Sequence, residues 1–113
     1  MIGPCLNRKL RLEVPYRSRD DAGGYETIWA VEGVLWASVA AGTGSEAELA
    51  GLSISTVPVK ITIRAAPIGS PSRPVAGQRL RDGDRVFRVL SVTEADAMAR
   101  YLICIAREEE VST

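Results

Sequence analysis

The sequence predicts a mainly β fold: a small antiparallel β-barrel of five to six strands, with a long loop or short helix between the second and third strands. Three observations carry that expectation. Apolar residues recur with period two in several segments, glycines, prolines and aspartates punctuate the chain between them, and a single short stretch has helical character. At 113 residues the chain fits one domain spanning 1–113, able to bury roughly 65% of the surface its unfolded form exposes.

Arg8 to Tyr16 reads as the first strand, because Leu10, Leu12 and Val14 alternate with Lys9, Arg11 and Glu13. Pro15 confines it to an edge or a strand end, since proline has no amide to donate to a ladder. Arg17 to Gly24, with Ser18, Asp20, Asp21, Gly23 and Gly24, is a turn cluster. From Tyr25 to Ala41 the apolar side chains fall on both parities: Trp29, Val31, Leu35 and Val39 on one, Ile28, Val34, Trp36 and Ala40 on the other. The β-branched residues and the two tryptophans favour strand, and Gly33 weakens the helical alternative. A strand apolar on both faces needs cover on both, from the barrel interior on one side and a helix or a neighbouring subunit on the other.

Gly42 to Ser55 is rich in small residues. Glu46 to Leu52 is its helix-like portion, and Ser45 and Glu48 have the spacing of a capping box. So short a helix does not persist alone in water, which marks the segment as an excursion whose order depends on assembly. Thr56 to Arg64 is the clearest strand, with Val57, Val59, Ile61 and Ile63 pointing one way and Lys60, Thr62 and Arg64 the other. Ala65 to Gly77 holds three prolines and reads as an extended, ordered loop or short arm able to reach a partner. Gln78 to Arg81 and Arg85 to Val92 flank Asp82, Gly83 and Asp84, a hairpin signal. A turn at Thr93 to Asp96 leads into the last strand, Met98 to Arg107, and Glu108, Glu109 and Glu110 form a solvated end.

Fourteen basic residues balance fourteen acidic ones, so the chain lacks the basic excess of tight, salt-dependent nucleic-acid binding. Histidine is absent, which excludes Ser-His-Asp and Cys-His catalysis and His-ligated zinc. Cys5 and Cys104 have no partner at metal spacing and read as reduced thiols. The N-terminus, Met1 to Leu6, is too short and proline-broken for a signal sequence, and no apolar run has the length of a membrane span. The chain therefore reads as a soluble, non-enzymatic protein made in the cytoplasm, with no catalytic, cofactor or metal residues.

The remaining clusters have competing readings. Asp20 with Asp21, and Asp82 with Asp84, suit turns; Glu46 with Glu48 suits a solvated face or a channel lining. Arg73, Arg79, Arg81, Arg85 and Arg88 give the second half a basic bias, either neutralised by Asp82 and Asp84 or forming a phosphate groove. Phe87 is then core or a stacking platform. Trp29 and Trp36 fall on opposite faces, as one core and one surface-packing residue or as one core residue and one subunit anchor.

The order and spacing of these pieces, from Leu10 to Val111, resemble the phage head-tail joining family. The resemblance rests on the turn Asp20 to Gly24, Trp29 in an extended segment, the pair Trp36 and Ala37, the segment Gly44 to Glu46, the strand Ile61 to Arg64, and the closing strands Val86 to Val92 and Arg100 to Ala106. Ala65 departs from it, standing where the family often has an aromatic residue. The resemblance implies a head completion or stopper protein of a phage, prophage or gene transfer agent, assembled in the bacterial cytoplasm and resident at the head-tail interface of the virion. It implies a homo-oligomeric ring of six or twelve copies, an adaptor and portal on the head side, and a tail terminator or tail tube on the other. DNA would pass through without sequence-specific binding, and no cofactor or membrane is involved.

On this resemblance Gly42, Gly44, Ser45, Glu46, Glu48, Leu49, Leu52 and Ser55 form a channel gate loop. Trp36, Pro67, Pro71, Arg73 and Pro74 are expected at subunit or partner contacts, and Trp29, Ile61, Ile63 and Val89 in the barrel core. Two other readings stand beside it: a tail-terminator or tail-tube-like subunit, and a small nucleic-acid-binding β-barrel.

Overall fold

Residues 4–51 and 57–109 are described by a computed structural model. They form strands β1 (Arg8–Arg19) and β2 (Tyr25–Ala41), helix α1 (Gly44–Leu49), and strands β3 (Val59–Arg64), β4 (Arg79–Asp82), β5 (Arg85–Glu94) and β6 (Tyr101–Glu109). The strands pair antiparallel in the order β1-β2-β3-β6-β5-β4, and β4 returns to β1 at Arg11–Glu13 to close a barrel. Closure leaves this part of the molecule without a free sheet edge. As expected, the mainly β barrel has one short helix between the second and third strands.

Alternation explains the interior. Leu10 and Leu12 of β1, Ile61 and Ile63 of β3, Leu80 of β4, Phe87 and Val89 of β5, and Leu102 and Cys104 of β6 are all buried in one cluster. Burial pushes the Cys104 thiol up to about 12. The turn between β4 and β5 follows the aspartate-glycine signal, with Gly83 at φ +59°, where an L side chain is disfavoured.

A β-bulge decides the fate of the first tryptophan. Leu12 pairs with Gly33 but Glu13 pairs with Val31, so Glu32 is an extra residue in β2 and the parity of the strand flips across it. After the bulge, Leu35, Ala37 and Val39 face the core. Before it, Trp29 and Val31 are turned to the outside, and Val31 is 52% exposed. The expectation of Trp29 in the barrel core is therefore corrected: it is half-buried on the outer surface.

β1 and β2 also outrun their other neighbours. β4 meets β1 only at Arg11–Glu13, and β3 meets β2 only at Ala37–Ala41. The ladder from Val14↔Ala30 to Arg19↔Tyr25 consequently continues as a two-stranded arm, roughly 17 Å long at the usual strand rise. The molecule measures 55 × 32 × 24 Å. The turn cluster expected at Arg17 to Gly24 is shorter than it looked, because Arg17, Ser18 and Arg19 belong to β1. Asp20 makes the turn: its Oδ1 accepts from the amides of Ala22 (3.0 Å) and Gly24 (2.8 Å).

Candidate functional site

Chemistry offers little to build on. Among the described residues no group of three His, Cys, Asp or Glu side chains could hold a metal ion, and no helix is long and apolar enough to cross a membrane. The features that distinguish this barrel are its projections and the charge pattern of its outer face.

The excursion leaves the barrel through a tight neck. The Gly42 amide donates to the Pro58 carbonyl at 2.8 Å, and a Cβ on Gly42 would stand 2.8 Å from the Pro58 ring, so glycine is required there by contact. Thr43 then caps α1: its Oγ1 accepts from the Glu46 amide (3.1 Å) while Glu46 Oε1 accepts from the Thr43 amide (2.8 Å), a reciprocal capping box. The cap expected at Ser45 and Glu48 thus lies two residues earlier, since the neck leaves Thr43 as the first extended residue able to cap the helix. The helix covers Gly44–Leu49, not Glu46 to Leu52.

Glu46 is committed to this turn. The backbone bond from Thr43 holds its carboxyl below the usual value, against the opposing effect of burial, and Lys60 at 3.8 Å adds to the lowering. Glu48 is exposed, and Leu49 is 89% exposed. Ala47 is the buried residue of the helix, so α1 has little apolar grip on the barrel. Leu52 and Ser55, expected in the same gate, lie outside the described residues.

The root of the arm is held by charge. Glu13, 5% exposed, accepts from Arg79 Nε at 2.6 Å and has Arg81 at 3.9 Å. The Arg79 and Arg88 guanidinium groups lie over the Trp29 ring at 4.0 and 4.9 Å, a cation–π arrangement, and Arg88 pairs with Glu109 at 2.7 Å. Arg85 binds Glu108 through two bonds of 2.9 Å, which hold the Glu108 carboxyl below its usual value. Arg79, Arg81, Arg85 and Arg88 are thereby neutralised, with Glu13, Glu108 and Glu109 as partners in place of the expected Asp82 and Asp84, while Arg73 has no ion pair among the described residues. Asp82 pairs instead with Arg8. Phe87 is fully buried, so it belongs to the core and is not a stacking platform, and the Trp29 ring is already covered by Arg79 and Arg88.

The opposite outer face is different. Lys9 pairs with Trp36 across β1 and β2, Arg64 pairs with Tyr101 across β3 and β6, and Trp36 and Arg64 stand one step beyond the Ala37↔Ile63 pair. One row, Lys9–Trp36–Arg64–Tyr101, therefore crosses four strands, and its Trp36, Arg64 and Tyr101 line a cleft with Pro4 and Leu6. Trp36 is 55% exposed. Lys9, Arg64 and the nearby Arg11 have no ion pair among the described residues.

The proline loop is ordered by its own bonds. Ala65 donates to Arg100, Gly77 to Val89, and Ser70 and Arg73 to carbonyls within the loop; the Arg73 side chain donates to the Ala66 carbonyl at 3.1 Å. Pro67 and Pro71 are exposed, but Pro74 is fully buried. The expectation of Pro74 at a partner contact is corrected: its ring anchors the loop from inside.

Of the expected site residues, Ile61, Ile63 and Val89 meet in the core, Trp36 joins the outer row, and the excursion stands apart from both. Sequence reasoning missed the arm and the row. A 17-residue β2 beside a six-residue β3 was the available signal, because the longer strand must outlast its neighbour.

The model of a family described as phage head completion protein matches residues 1–109. A chain in the solved virion of a native gene transfer agent (GTA) particle is 43% identical, with a TM-score of 0.74, over 98% of this chain and 100% of that one. Protein SF1141 from Shigella flexneri 2a, 24% identical with a TM-score of 0.67 over 95% of this chain and 96% of its own, shares the fold. No curated protein matches significantly.

Proposed function

The chain belongs to the phage head completion protein family, and we propose that it forms a ring in the head-tail connector, below the portal and its adaptor. There it closes the DNA channel and presents the surface on which the tail docks. Its part in the particle is structural.

The observation that carries the gate is the construction of the excursion. Residues 42–51 hang from a closed barrel by the neck at Gly42 and Pro58, with Ala47 as the helix's buried residue. An element so attached can swing without disturbing the core, because its local opening free energy is small compared with that of the barrel. Glu46 and Glu48 give it no attraction for phosphate, so DNA slides past it. Trp36, Pro67 and Pro71 are exposed and serve as contacts with neighbours.

Deletion of residues 44–52 tests this reading. The barrel remains folded, but particles carrying the variant leak DNA. Particles that retain their DNA would sink the gate assignment, and particles that assemble normally without the protein altogether would sink the connector role.

A further inference from the structure

We propose that the free face of the arm, formed by Tyr16, Glu26 and Ile28, docks on the row Lys9–Trp36–Arg64–Tyr101 of a second copy of this chain. The inference rests on the ring reading and names the contact that builds the ring.

The two faces of the arm differ. On one, Arg17 lies over the Tyr25 ring at 4.3 Å and Trp29 lies against Arg79 and Arg88, so the aromatic rings already have partners. On the other, Tyr16 and Ile28 are a direct cross-strand pair beside the pair Ser18 and Glu26. Tyr16 is 53% and Ile28 48% exposed, and Glu26 has no ion pair among the described residues. This face offers one carboxylate next to two apolar side chains. The row offers the complement, two unpaired cations next to two aromatic rings.

Arg79, Arg81, Arg85, Arg88, Arg8 and Arg100 each have a carboxylate partner within the chain, whereas Lys9 and Arg64 do not. Arg11, Arg17, Arg19, Arg73 and Arg107 also have no ion pair among the described residues, but Lys9 and Arg64 stand in one row with two aromatic rings. Tryptophan, tyrosine and arginine are also the residue types that dominate interface energetics. A lone cation gains most where a partner brings both charge and apolar cover, since water is then excluded around the pair.

Within one chain the two surfaces cannot meet. Tyr16 and Lys9 are seven positions apart on the same strand, about 24 Å at the usual rise, and the continuous ladder holds them apart. A neighbouring copy is within reach, as the arm extends beyond a barrel whose molecule measures only 32 × 24 Å across. A contact between two different patches is heterologous, the kind that generates rings when the rotation closes. Trp36 and Tyr101 flanked by Lys9 and Arg64 also resemble a single-strand platform, but the neutral chain and the acidic, apolar complement on the arm favour the second copy.

Photocrosslinking decides. With p-benzoylphenylalanine in place of Tyr16, illumination of purified particles and of the concentrated purified chain yields a chain-to-chain crosslink to a peptide bearing Trp36, Arg64 or Tyr101. A crosslink to another virion protein or to DNA, or none in either sample, overturns the proposal. Glu26→Arg and Arg64→Glu each lower the copies per particle several-fold, and the two together restore them; failure of the pair to restore also overturns it. If the wild-type chain is missing from particles while the purified chain still crosslinks as described, the connector role fails and the contact stands.

Discussion

The two ends of β2 carry two projections built on opposite principles. At one end the arm continues the ladder beyond the bulge at Glu32 in regular pairing, its tip closed by Asp20 and its root locked by Glu13, Arg79 and Trp29. At the other, the excursion turns away after a single backbone bond at the neck and holds a six-residue helix through a capping box. Regular hydrogen bonding and buried charge make the first a fixed spur. Sparse packing makes the second a flap, drawn from the low-stability end of the molecule.

The sharpest way to break that contrast is at the arm's root. Glu13→Gln removes a buried partner of two arginines, and is expected to cost roughly 3 kcal/mol, read as a lower denaturant midpoint together with faster amide exchange in residues 14–30. Exchange in α1 should stay as it was; if the midpoint does not move, the ion pairs do not hold the arm. Next in size, Gly42→Ala forces a Cβ against the Pro58 ring and is expected to cost about 1–2 kcal/mol. Its chemical-shift changes should concentrate around residues 42–43 and 57–59, and changes spread along the arm would contradict the separation of the two ends.

A smaller effect is expected from Thr43→Ala. Loss of the cap weakens α1 locally by about 1 kcal/mol, so amide exchange rises at residues 46–50 while the global midpoint hardly moves. A large global shift would mean that the flap is part of the cooperative core. Smallest is the response to acid. The folded-state pKa of Glu46 is depressed below 4.5, so its contribution is present above that value and is lost as pH falls through the folded pKa. Titrating the Thr43 amide by NMR should show the loss below pH 4.5 in the wild type and not in Glu46→Gln.

What could be read beforehand was whatever depended on local pattern. The alternation through Ile61 and Ile63 placed β3, and Gly83 between two aspartates placed the β4–β5 turn. Tyr25–Ala41 came out as one strand with the correct ends. Trp29 was misplaced for a physical reason: its parity matches Leu35 and Ala37 in an unbroken strand, and the extra Glu32 reverses it, which depends on pairing with β1 and leaves no mark in β2 itself. The arm was hidden in the same way, since it exists only because β3 and β4 stop short. A cap was expected at Ser45 and Glu48, but the neck at Pro58, distant in sequence, placed it at Thr43 and Glu46. The row Lys9–Trp36–Arg64–Tyr101 draws on four strands, and no local window contains it.

The two thiols give this molecule a built-in reporter. Cys104 is sealed in the core with its thiol raised to about 12, too protonated and too enclosed to react, while Cys5 is exposed. Maleimide dyes will therefore mark one position in the native chain, without engineering. That position lies between Pro4 and Leu6, which border the Trp36 cleft, so a dye there sits close to an indole whose fluorescence it can quench. Any molecule settling on that face would be announced by a change in colour or intensity.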